Sequence, residues 1–391
     1  MKLTKKQAQQ FLLKRHGLIG KPIFKGKDGC LEFIRRVCCI QYDPVDICGR
    51  NADIVLNSRV SDYKKEYLAE LLYSERKLVD WFDKNLAIVP IEDYGILRNV
   101  KIAGAYAEAF NARLNDSIRQ TMPGIRKLIK ERGFVFSKDV DTGEKIEWDW
   151  GALASPSRAA LESMYFLGEL IIHHKKGTNK SYALAKDHIP EQILNTPMPF
   201  SNEDERLAWL VKRRISGVGM LWGKASDAFL GLRLKSAQRA TAYAQLLKDG
   251  EIFEVTIEGI NVPFYICTNE KDELESILLS PAETHNAPRT EFIAPLDSLM
   301  WDRKLIQALF GFEYKWEIYT PKIKRKYGAY TLPILHQGEF IGRIDACKNG
   351  KELVINNIWP ENNLTFSGEL KKSINACIKR FAKFNNSAYL E

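Results

Sequence analysis

The chain has 391 residues, 45% hydrophobic and 27% charged, which is too long for one ordinary core and predicts two to four packed modules. No apolar run approaches the ~20 residues needed to cross a bilayer, so a membrane is excluded as partner. The 58 Lys and Arg residues exceed the 49 Asp and Glu by a formal +9, which admits a polyanionic partner without demanding one.

The opening Met1-Lys2-Leu3-Thr4-Lys5-Lys6 leads into an amphipathic stretch and lacks the apolar block of a secretion signal, so a cytoplasmic location is expected. Helices are expected over about 29–39 and about 45–56, flanking Ile40-Gln41-Tyr42-Asp43-Pro44. On an extended segment Gln41 and Asp43 point to the same side, while Tyr42 points away into the core. Pro44 removes a donor and biases Asp43 towards an extended backbone. A same-side amide and carboxylate can hold a water, the amide orienting it and the carboxylate taking its proton. They can equally bond backbone groups, and spacing alone favours Asp43 as the cap of the next helix. Cys30, Cys38, Cys39 and Cys48 lie around this stretch, with Cys267, Cys347 and Cys377 scattered beyond it. There is no C-x-x-C pair and no histidine near Cys38 and Cys39, so reduced, mostly buried thiols and no metal site are expected.

Three stretches then share one layout: a helix, an apolar strand, a tight polar turn and a second strand. The first has a helix at 67–72, strands at 78–82 and 86–89, and the turn Asp83-Lys84-Asn85. The second has a helix at 159–167 started by Ser155-Pro156, strands at 170–173 and 182–184, and a turn at 176–180. The third has a helix at 240–247 with Ser236 as its cap, strands at 252–256 and 262–267, and a turn at 258–261. Gly168-Glu169-Leu170-Ile171 matches Gly250-Glu251-Ile252-Phe253, so these are copies of one unit. A helix delivered into a two-stranded hairpin at this length is the layout of a winged helix. On the third helix Ala240, Tyr243, Ala244 and Leu247 form the expected apolar stripe. Gln238, Arg239, Thr241 and Gln245 are polar, facing either a nucleic acid or solvent.

The last hundred residues differ. A helix around 301–309 precedes alternating runs at 327–336, 339–347 and 351–359, which read as an antiparallel meander, and a terminal helix follows over about 368–384. Lys322, Lys324, Arg325 and Lys326 cluster in a stretch without acids, between Glu317 and Glu339. Such a patch suits a phosphate backbone or is a solvated loop.

Four segments together resemble the AlkZ/YcaQ family of winged-helix DNA glycosylases. They are Ile40-Gln41-Tyr42-Asp43-Pro44 with Arg50; Trp148-Asp149-Trp150 through Ser157-Arg158-Ala159-Ala160-Leu161-Glu162 to Gly168-Glu169-Leu170; Ala294-Pro295-Leu296-Asp297 through Trp301-Asp302-Arg303; and Leu309-Phe310-Gly311-Phe312-Glu313-Tyr314 through Glu317-Ile318-Tyr319-Thr320-Pro321 to Tyr327-Gly328. The last segment continues into Leu332-Pro333-Ile334-Leu335 and Gly342-Arg343-Ile344-Asp345-Ala346. The resemblance implies an α+β fold of tandem winged-helix modules in a C-shaped arrangement with a C-terminal antiparallel β-domain. The divisions expected are 1–115, 116–200, 201–290 and 291–391. It also implies that Gln41 and Asp43 are the catalytic pair, in a Gln-x-Asp branch associated with excising N7-alkylated purines and unhooking interstrand crosslinks. Arg50, Lys322, Lys324, Arg325, Lys326, Gln238 and Arg239 are the expected DNA contacts. Asp297 and Trp301-Asp302-Arg303 are expected to be structural. The partner is then double-stranded DNA carrying alkylated or crosslinked purines, met by a monomer at the nucleoid, with no cofactor. The chain departs from the family after Arg50, where Asn51-Ala52-Asp53 stand, and at Asp83-Lys84-Asn85; histidine is common at both places. The competing reading is a winged-helix DNA-binding regulator without catalysis.

Overall fold

The computed structural model describes residues 1–103, 114–140, 143, 145–148, 153–232, 234–279, 289–361 and 364–389. They form two compact units, Met1–Leu68 with Asn202–Glu391, and Ala69–Ser201. Asp149 and Trp150, which belong to the second of the resembling segments, lie outside the described residues.

The second and third helix–hairpin copies agree bond for bond at the junction of helix and hairpin. The helices Pro156–Phe166 and Ser236–Lys248 each end at a left-handed glycine, Gly168 (φ 75°) and Gly250 (φ 70°). A residue with a Cβ is strained there, and glycine lets the chain reverse directly into the hairpin. Glu169 N donates to Met164 O and Glu251 N to Leu246 O, both at 2.9 Å. Each glutamate's carbonyl then accepts from the residue leaving the hairpin, Ala185 N at 2.9 Å or Thr268 N at 3.0 Å. The hairpins are Leu170–Lys176 with Asn179–Leu184, and Ile252–Ile257 with Ile260–Cys267. Ser155 caps the former helix by accepting from Arg158 N.

In the 69–201 unit the first hairpin pairs Leu78–Asp83 with Asn85–Pro90, and the helix before it ends in the wide turn Glu70–Ser74. Trp81, wholly buried, meets Tyr94 and Tyr165 edge-on at centroid distances of 5.0 and 5.3 Å. Edge-to-face packing of this kind adds to the area buried. Asp80 beside it is buried but paired with Lys175 and hydrogen-bonded by the Tyr73 hydroxyl at 3.0 Å.

In the other unit the N-terminal strand Lys2–Leu3 runs parallel to Thr256 and Ile257 of the third hairpin, and Leu221–Trp222 closes that sheet on its far side. The C-terminal meander comprises Thr331–His336, Glu339–Asn349 and Glu352–Pro360, and Thr290–Phe292 adds a fourth strand. Its first turn is Gln337-Gly338, both with positive φ (49° and 86°), which matches the right-handed twist of the strands. The terminal helix is Gly368–Phe384.

Several local expectations are corrected. No helix covers 45–50: the helix is Asn51–Asn57 alone. Asp43 and Asp46 bond nearby backbone instead, at Val45 N (2.8 Å) and Gly49 N (3.1 Å), and Gly49 has φ 125°. Such local bonds compete with helix formation. The preceding helix is Gly26–Arg36 rather than 29–39, and Cys38 after it is left-handed. Ser236 is the first residue of its helix and not the cap, which is Lys235. The buried stripe of that helix is Ala242, Tyr243 and Leu246, whereas Ala240, Ala244 and Leu247 are exposed. The seven cysteines are free thiols, five of them buried. Among the described residues no helix is long and apolar enough to cross a membrane.

Candidate active site

Ile40–Gln41 is a two-residue strand, and the chain from 42 to 50 is irregular. Gln41 is 8% exposed, and its Oε1 is buried without a hydrogen-bond partner. An unpaired buried amide oxygen costs about 1–3 kcal/mol, so its retention calls for an explanation. Tyr42 is buried to the same degree as Gln41, and the strand ends before it. Asp43 is half-buried; its Oδ1 accepts from Val45 N at 2.8 Å, and its Oδ2 takes no bond among the described residues. That contact closes a turn, so Asp43 does not cap the following helix, whose cap position belongs to Arg50. Burial pushes the Asp43 carboxyl up from its ordinary value, and the single Val45 N–H offsets only part of this.

The loop between Asp43 and Arg50 is fastened to the C-terminal sheet and to the end of the terminal helix. Lys348 N donates to Ile47 O at 2.8 Å, Lys348 pairs with Asp46, and Asn385 Nδ2 donates to Cys48 O at 2.9 Å. Arg50 is half-buried, and its charge acts on Asp53 and Lys65. Asp53 is itself buried: burial raises its carboxyl, while the Tyr63 hydroxyl, bonded at 2.6 Å, lowers it. Tyr330, which leads into the meander, is 1% exposed, and its hydroxyl has no partner. Burial raises that phenol well above its usual value, with Cys48, Tyr314, Asp43 and Asp46 adding to the effect. The sheet thereby contributes to the surroundings of Asp43.

The basic cluster lies on a loop built around Glu317, which is 4% exposed. Its carboxylate accepts from Lys326 N, Tyr327 N and Gly328 N at 3.0–3.3 Å. Burial raises this carboxyl, but the three N–H groups outweigh it and hold Glu317 below the ordinary range. Arg325 is half-buried and donates to Thr320 O at 2.8 Å, while Lys322, Lys324 and Lys326 are exposed. Gln238 and Arg239 are engaged locally. Gln238 Oε1 accepts from Lys235 N at 3.1 Å, and Arg239 donates to Gly223 O at 3.1 Å and to Ser236 Oγ at 3.3 Å.

Asp297 and Asp302 hold the frame. The Asp297 carboxylate accepts from Arg59 (2.7 Å) and Leu299 N (2.9 Å), both acid and arginine being wholly buried. Asp302 caps the helix Arg303–Phe310 through Leu305 N and accepts from Trp222 Nε1 at 2.8 Å. Sequence reasoning missed Glu317 and Tyr330. Glu317 left one signal, as the last acid before a long basic run; Tyr330 left none, because its neighbours are distant in sequence.

Two comparisons bear on this arrangement. A family model described as DNA glycosylase AlkZ-like matches residues 34–384. The solved structure of Streptomyces sahachiroi DNA glycosylase AlkZ is similar at 14% identity and a TM-score of 0.64, covering 100% of this chain and 99% of that one, which shows a shared fold. The match begins before Gln41 and runs through the terminal helix, and the chain belongs to the AlkZ-like DNA glycosylase family, whose members are enzymes of DNA repair.

Proposed function

We propose that this glycosylase hydrolyses the N-glycosidic bond of N7-alkylated purines in double-stranded DNA, including those in interstrand crosslinks, with Gln41 and Asp43 as its catalytic pair. The observation that carries the reading is the pairing of a buried, partnerless Gln41 Oε1 with a half-buried carboxylate two residues on, one oxygen of which takes no bond. A water that donates one hydrogen to Gln41 Oε1 and the other to Asp43 Oδ2 keeps a lone pair for the anomeric carbon.

An N7-alkylpurine is already cationic, so it leaves without protonation by a general acid. As the bond from the anomeric carbon to N9 breaks, its electron pair neutralises the base and the sugar becomes oxocarbenium-like. An ionised Asp43 stabilises that charge and takes the proton of the attacking water. The upward shift of Asp43 strengthens it as a base. The products are the free base and an abasic site, with no covalent intermediate.

In this reading the helix–hairpin copies are winged-helix modules in a C-shaped arrangement, divided at 1–115, 116–200, 201–290 and 291–391. Lys322, Lys324, Arg325 and Lys326 contact the DNA backbone, joined by Arg50, Gln238 and Arg239. The enzyme works as a monomer at the nucleoid. The test is single-turnover release of N7-methylguanine from labelled duplex DNA by wild type, Asp43→Asn and Gln41→Ala, repeated on an N7-linked crosslink. Release that collapses in Asp43→Asn supports the reading. No release from either substrate sinks it.

A further inference from the structure

Gln41 is held by very little of its own structure. Its strand is two residues long, and no helix begins until Asn51. Its peptide oxygen is held by the side chain of Asn51, wholly buried at the first turn of the helix Asn51–Asn57. Asn51 Nδ2 donates to Gln41 O at 2.9 Å, and Asn51 Oδ1 accepts from Leu296 N at 3.1 Å. One partner can only accept and the other can only donate, so a flipped amide would lose both bonds.

The other end of this clamp is rigid. Leu296 O accepts from Trp301 Nε1 at 3.2 Å, and Asp297, the next residue, holds Arg59 and Leu299 N. Arg59 Nη1 returns to Val55 O at 3.0 Å, so the turn at 294–301 is tied to both ends of the Asn51–Asn57 helix. Asn51 passes this rigidity to the Gln41 peptide. Without the bond the peptide oxygen loses this buried donor, and recovering one requires the strand to shift.

We propose that Asn51 is a positioning residue for catalysis, setting the Gln41 amide and the adjoining Asp43 where the attacking water must sit; this rests on the reading of Gln41 and Asp43 as the catalytic pair. Asn51 touches neither water nor DNA in this role. A displacement of about 1 Å at a reacting group can cost a hundredfold in rate, so loss of the clamp lowers the chemical step and spares DNA binding.

Asn51→Asp tests this with a built-in rescue. A neutral carboxylic acid has one donor and one acceptor, as the amide has, and restores both bonds; the carboxylate opposes Gln41 O. Burial beside a carbonyl favours the neutral form, so the introduced acid is protonated more fully as pH falls. Wild type gains no rate in that direction, because Asp43 must be ionised. The ratio of variant to wild-type rate therefore rises on going from about pH 8 to pH 6.

The experiment measures single-turnover release of N7-methylguanine across this range, with duplex affinity and melting temperature alongside, for wild type, Asn51→Asp and Asp43→Asn. The expected result is a rate about 10- to 100-fold down at the alkaline end, recovery at the acid end, and affinity within about twofold. Where Asn51→Asp does not fold, Asn51→Ser replaces it, too short to span both partners, with the same loss of rate at constant affinity expected. A wild-type rate and profile in either variant overturns the proposal, as does a rate loss that tracks melting temperature with no acid recovery or affinity split. An active Asp43→Asn, or a wild type that releases nothing, overturns the catalytic pair itself.

Discussion

Asp43 and Glu317 are both acids in irregular segments of the same unit, and burial pushes both carboxyls up. Glu317 meets three backbone N–H groups, which reverse the effect and hold it ionised within a rigid loop. Asp43 meets one, which does not, and Gln41 beside it keeps a buried oxygen with no partner. Burial alone therefore says little about role. A satisfied buried acid organises structure, whereas an undersatisfied one beside a second unpaired polar atom is suited to binding and deprotonating a small molecule.

The largest effect expected from this contrast is at Asp43. Asp43→Asn should slow release by about two to four orders of magnitude while leaving the melting temperature no lower than wild type, since a half-buried charge is removed. The wild-type rate should fall as pH drops through the raised pKa of Asp43, and the residual rate of Asp43→Asn should be flat there. A variant that keeps its rate, or an unaltered acid limb, breaks the comparison. Gln41→Ala should cost less, roughly tenfold to a hundredfold in single-turnover rate, because the water keeps its base and loses only its alignment.

Glu317→Gln should act on stability first. Replacing a charge-assisted acceptor of three N–H groups costs roughly 1–3 kcal/mol, read by urea unfolding at neutral pH. The Glu317 carboxyl is lowered on folding, so its contribution is complete above the unfolded-state pKa and disappears as pH falls through the folded value. The gap between wild type and Glu317→Gln should close in acid; a constant gap would show that packing, not the carboxylate, holds the loop. The smallest effect is expected from combining Lys322→Ala, Lys324→Ala and Lys326→Ala. Duplex affinity should fall for any sequence, and the slope of log affinity against log salt should shrink by about 3. An unchanged slope removes these lysines from the DNA interface.

Much of the fold was legible because its rules are short-ranged. Gln337-Gly338 occupies a two-residue turn with both φ positive, and Ser155-Pro156 opens its helix as cap and first residue. The repeated Gly-Glu pair led to two hairpins whose junctions agree bond for bond. Errors arose where side chains compete with the helix for backbone groups, as Asp43 and Asp46 do ahead of Asn51. The stripe of the Ser236–Lys248 helix was also misplaced: with Ala at 237, 240, 242 and 244, small residues mark both faces and carry little directional signal.

The sequence by itself determined the hairpins and the copies, since each depends on residues a few positions apart and on backbone sterics. Only the tertiary structure decided that Lys2–Leu3 joins a strand some 250 residues on, that Asn51 bridges Gln41 to Leu296, and that Tyr330 lies within the field of Asp43. Those contacts join chain segments that no local pattern connects. They form because a buried polar group must find its partner wherever packing brings one within reach.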